Sequence, residues 1–215
     1  MTLEQQFELI KDITLVILGA LLALGSGLIL YWLEGKRERR RWQLEEERER
    51  ERERKGWQEK VLNWAATGRK ESLRRADLRE ADLRGVDLGP GEGKEDGADL
   101  SYADLSKADL SHANLQRAHL EGANLQRAIL AFANLQGADL RSAKLQRAIL
   151  VGVILRGADL RHAKLQRAIL DGAKLQGANL KYAKLEGAGL KGAKANKYTI
   201  WPEGFEVPEG VVIED

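Results

Sequence analysis

From residue 71 onward the chain returns to leucine every five residues, at Leu73, Leu78, Leu83 and Leu88, and then without a slip from Leu100 to Leu190. Alanine stands two positions before nearly every one of these leucines. A five-residue period fits neither the 3.6-residue turn of an α-helix nor the two-residue pleat of an ordinary strand. Sustained over this length, it demands a repeat architecture in which each unit forms one element of a stacked coil. A glycine-rich insertion, GEGKEDG at 91–97, interrupts the array once.

A longer period is superposed on the short one. ANLQRAIL at 123–130 returns as AKLQRAIL at 143–150 and again at 163–170, a twenty-residue recurrence. Four five-residue sides per coil produce that spacing. Stacked leucines then fill a square bore, and alanine fits corners where a larger group would clash. Successive coils are spaced by about 4.8 Å, the hydrogen-bonding distance between strands. Such a bore has no room for a substrate. The scarcity of phenylalanine, three residues in 215, suits a small-celled interior of this kind.

The units ADLSY, ADLSK, ANLQR and ANLQG resemble the A(D/N)Lxx signature of the pentapeptide-repeat family, and the likeness covers about 125 residues. The resemblance implies a right-handed quadrilateral β-helix with four units per coil. In it the central leucine and the alanine before it point inward, and the other three positions face solvent. The expected fold class is therefore an all-β solenoid, preceded by an N-terminal transmembrane α-helix and a charged helical stalk.

Folding the array onto four faces sorts its outward residues. The first face carries Asp99, His119, Asp139, Asp159 and Asn179 before the leucines. The second carries Lys144, Lys164 and Lys184 there, with Arg127, Arg147 and Arg167 two positions after the leucines, a candidate basic stripe. The third stacks Ile129, Ile149 and Ile169, flanked by Phe132 and Val151, with Ile154 around the corner. Contiguous exposed apolar residues mark a contact surface. β-branched residues also stabilise a ladder by cross-strand packing, so the isoleucines admit both readings.

Ahead of the array, a short segment 1–12 leads into residues 13–33, which run without a charge. At about 1.5 Å per residue this is enough to span a hydrocarbon core. Only Lys11 precedes the run, whereas Lys36, Arg37, Arg39, Arg40 and Arg41 follow it. The positive-inside rule then places the N-terminus outside and the repeats in the cytoplasm. Gly19, Ala23 and Gly27 share one helix face on which a second span could pack, making a dimer; ordinary glycine and alanine usage accounts for them equally. Residues 34–56, rich in Glu and Arg, read as a solvated helical spacer. Trp57, Val61, Leu62 and Trp64 read as the apolar stripe of an amphipathic helix, 57–70, that caps the first layer of the solenoid.

The array spans 71–197 with a loop at 89–97, and the tail 198–215 carries Pro202 and Pro208, which cannot extend a ladder. Trp201 and Phe205 are expected to fold over the last coil as a lid. There is no cysteine, and the net charge is only +2. His112, His119 and His162 fall on outward positions with no metal-ligand spacing. No catalytic, cofactor or metal constellation is expected. The leading expectation is a membrane-tethered, non-enzymatic scaffold that binds a protein partner or itself through the isoleucine face. The alternative is a basic face that binds anionic lipid or, less readily, nucleic acid. The resemblance also raises DNA mimicry and gyrase inhibition, but residues 71–195 hold 20 Lys and Arg against 16 Asp and Glu, whereas mimicry needs an acidic surface.

Overall fold

The computed structural model describes residues 35–64 and 72–215. Residues 13–33, with Gly19, Ala23 and Gly27, lie outside the described residues. A single helix, α1, covers 35–64 and runs through Gly56, so the stalk and the start of the cap segment are continuous. Glu and Arg are good helix formers, and Arg50 pairs with Glu46 one turn earlier at 2.5 Å. Both side chains are exposed, so the pair adds little. Among the described residues no helix is long and apolar enough to cross a membrane.

From Arg52 the chain forms one compact unit. The last turns of α1 bury Val61 and Trp64, and Trp57 packs partly buried on the same core. Leu62, expected in this stripe, instead faces outward at 53% exposure. The reason is helical geometry: 57, 61 and 64 recur at the spacing of one face, and 62 falls off it.

Beyond α1 the backbone coils as a four-sided solenoid. Parallel bridges link residues twenty apart, such as Ile129 to Ile149 and Ile149 to Ile169. Each bridge is made twice over: Leu110 N donates to Ile129 O at 2.7 Å, and Ile129 N donates to Ala108 O at 2.9 Å. The central leucines from Leu73 to Leu180 are at most 1% exposed, and their alanines are similarly buried. Each such leucine contributes about 1.5–3 kcal/mol of burial before entropy is counted.

Corners are turned by one device. From Arg75 to Gly192 the residue two after each leucine is left-handed, with φ between 53° and 70°, save Pro90, where the loop opens. A residue with a Cβ is strained there, yet Arg, His, Tyr and Phe occupy many of these corners. Asp or Asn before the leucine offsets the strain by accepting the otherwise unbonded next amide, as when Ser101 N donates to Asp99 Oδ1 at 3.0 Å.

The insertion leaves the register intact. Bridges across it span 27 residues, Asp77 to Asp104, instead of the 20 seen from Asp99 to His119. Its ends close where Ala98 N donates to Leu88 O at 2.8 Å. At the far end Trp201 and Phe205 stack at 5.5 Å between centroids and pack against the core. The tail goes further than a lid, because beyond Pro208 it rejoins the ladder. β1 (Lys194–Asn196) pairs in parallel with β2 (Val212–Glu214). Glu214 pins this last strand by accepting from Gln176 Nε2 at 2.6 Å and Lys194 Nζ at 2.7 Å.

Candidate interaction surfaces

Three faces of the rod differ in how they satisfy their outward residues. On the first face, aspartate and arginine pair in the plane of the coil. Arg141 Nε and Nη2 donate to Asp139 at 2.8 and 2.7 Å, and Arg161 engages Asp159 in the same way. Burial acts to raise the Asp139 carboxyl, but the hydrogen bonds from Arg141 outweigh it and hold the group below its ordinary value. Near the N-terminal end Arg84 does the same to Asp82, lowering its pKa to about 2. These pairs neutralise each other locally.

The third face replaces this chemistry with apolar groups. Its column runs Asp82, Asp109, Ile129, Ile149, Ile169 and Gly189. Ile129 and Ile149 are half-buried by their stacking, and Ile169 is 41% exposed. At the adjoining corner Phe132 is 57% exposed and stacks on His112 with centroids 5.3 Å apart. Phe132 leans over Gly152, where a Cβ would stand only 2.7 Å from its ring. Val151 lies beside this corner, and Ile154 sits on the fourth face between Asn134 and Lys174. The six candidate residues thus form one patch wrapped around a corner. The isoleucines also forgo the local cap: Asp109 accepts the Ser111 amide at 3.0 Å, and an isoleucine in the same column accepts nothing.

The second face makes the same exchange for charge. Asp77, Asp104 and Asn124 accept the amide two residues on, whereas Lys144, Lys164 and Lys184 below them have no acceptor to offer. These lysines, with Arg127, Arg147 and Arg167 at the corner, are all exposed. Among the described residues none of the six forms an ion pair with a carboxylate, whereas Lys107 in the same corner column reaches Glu80 at 2.6 Å. Between the lysine and arginine columns runs a glutamine column, in which Gln126 Nε2 donates to Gln146 Oε1 at 3.2 Å. Among the described residues Gln166 Oε1 is buried without a hydrogen-bond partner.

No group of His, Asp or Glu that could hold a metal ion occurs among the described residues. An open groove of about 510 Å³ beside the loop is lined by Pro90, Gln116, Arg117, Gln136, Gly137, Arg156 and Gly157. It presents guanidinium and carboxamide groups but no nucleophile or general base. Sequence reasoning located the columns and missed the amide caps and the in-plane Asp–Arg pairs. The signal for the pairs was present, as Arg one residue beyond Leu wherever Asp precedes it in ADLR.

The pentapeptide-repeat family model matches residues 71–89, 96–130, 118–157 and 154–192, more than half of the chain. No curated protein matches the chain. Among solved structures, the pentapeptide repeat protein Rfr23 of the cyanobacterium Cyanothece 51142 is 33% identical over 56% of this chain and 87% of its own, with a TM-score of 0.35. A pentapeptide repeat protein of Nostoc PCC 7120, alr5209, is 30% identical over 72% of this chain and 93% of its own, with a TM-score of 0.25. QnrB1, a plasmid-mediated fluoroquinolone resistance protein, is 18% identical over 67% of this chain and 78% of its own, with a TM-score of 0.32. The sequence match over the array carries the assignment: this chain belongs to the pentapeptide-repeat family.

Proposed function

We propose that the protein is a non-enzymatic scaffold, tethered to a membrane by residues 13–33, whose rod binds a protein partner through the isoleucine corner on the cytoplasmic side. One observation carries the reading. At Ile129, Ile149 and Ile169 the repeat's own amide cap is given up for apolar groups beside a Phe132 that is 57% exposed. Ladder packing half-buries Ile129 and Ile149 but leaves Ile169 and Phe132 beside them exposed. The charge-free run at 13–33 and the basic residues that follow it support the tether and its orientation.

Crosslinking and proximity labelling of the full chain in native membranes test the partner. The wild type is expected to capture a protein that Ile149→Asp and Phe132→Ser both lose, with the β-helical circular dichroism unchanged. Equal capture by all three retires the isoleucine corner. Alkaline extraction tests the tether, and release of the full chain into the supernatant counts against it. DNA mimicry is not favoured, since the array holds more Lys and Arg than Asp and Glu.

A further inference from the structure

We infer that the second face of the rod is a docking surface for an anionic membrane. The inference rests on the membrane reading above for its source of anions, and on the rod itself for its geometry. Lys144, Lys164 and Lys184 are bridged in one column, so the backbone holds like charges at the pitch of the ladder, about 4.8 Å. Arg127, Arg147 and Arg167 repeat at the same pitch along the adjoining corner. Stacking like charges across neighbouring strands is destabilising, and the lysines also forgo the amide cap that Asp104 and Asn124 supply in the same column.

The solenoid can neutralise arginine within a coil, as Asp139 and Asp159 do on the first face of the same coils. On the second face it does so only in the first coils, where Arg79 engages Asp77 and Lys107 reaches Glu80; the six basic residues of the later coils have no such partner among the described residues, so their counter-charge comes from outside. Charge is also distributed along the array: residues 71–100 hold 9 Asp and Glu against 5 Lys and Arg, and residues 161–195 hold 2 against 8. The basic half therefore presents a side with cations in parallel columns. A side of this form matches a plane of headgroups, and each basic residue close to an anionic surface strengthens attachment roughly fivefold. A membrane-tethered chain meets that surface at high effective concentration.

The absence of cysteine allows a single reporter to be placed on this face. The full chain carrying Ser106→Cys, labelled with a fluorophore, is reconstituted into phosphatidylcholine vesicles with or without phosphatidylserine and with spin-labelled quencher lipid. Quenching is expected only with phosphatidylserine, and is expected to fall with added salt. It is also expected to fall at least tenfold in a Lys164→Glu, Arg167→Glu double variant that still floats with the vesicles. Equal quenching in both lipids, or in the double variant, overturns the inference. So does duplex DNA binding that the double variant abolishes, when lipid quenching is absent. Failure of the chain to float with phosphatidylcholine alone marks instead the failure of the tether. Quenching that Ile149→Asp removes and Lys164→Glu does not assigns the docking to the other face and overturns the inference as well.

Discussion

Lys164→Asn is expected to make the rod more stable. In the wild type the Gln166 amide makes no hydrogen bond among the described residues, whereas Asn124, in the same column, accepts the Gln126 amide at 3.3 Å. Restoring that acceptor adds about 0.5–1.5 kcal/mol. Removing the middle of three stacked ammonium groups relieves an exposed repulsion of a few tenths of a kcal/mol. Lys164 is exposed, so little packing is lost. The sum is about 1–2 kcal/mol of added stability. Urea unfolding followed by circular dichroism measures the total, and hydrogen exchange at the Gln166 amide isolates the new bond. Equal or lower stability, or unchanged exchange at Gln166, refutes the idea that this column trades stability for charge.

Three further outcomes are expected. Gly97→Ala should destabilise by about 1–3 kcal/mol, because its Cβ would stand 2.5 Å from Gln116 O and 2.8 Å from Leu88 O, both backbone atoms of the ladder; thermal unfolding against wild type reads the loss. Leu150→Ala, with Leu150 at 1% exposure in mid-rod, should cost about 2.7–5 kcal/mol, measured by urea denaturation. Asp82 should titrate near 2 by NMR, held there first by the Arg84 side chain. Its folded pKa lies below the unfolded value, so its contribution is complete above about pH 4 and is lost as pH falls through about 2; Arg84→Gln should move the titration back up.

What repeats along this chain is legible in its sequence, and what does not repeat is not. The leucines and alanines repeat with the coil, so four-sidedness and the membership of each column were legible from the twenty-residue spacing, and the inward positions from the resemblance to the pentapeptide-repeat family. Ile129, Ile149 and Ile169 were placed on one ladder, and the ladder is there. The seven-residue insertion could also be seen as a loop, because the leucine phase survives it. Other features depend on what lies opposite a residue and leave no periodic mark. Leu62 points outward because the first coil meets a different face of α1. The strand Val212–Glu214 follows two prolines and still joins the ladder, because Lys194–Asn196 leaves an open edge for it to bond. The left-handed corners, which carry arginine, tyrosine and phenylalanine as readily as glycine, follow from the geometry of a closed square and not from residue preference.

What the sequence by itself determined is therefore the interior and the arrangement of the columns, since burial repeats wherever leucine does. What only the tertiary structure decided is which outward charges find a partner. Asp139 meets Arg141 within its own coil, while Lys164 meets only other cations above and below. That difference arises because hydrogen bonds and ion pairs depend on distances across coils, which the five-residue period alone does not specify.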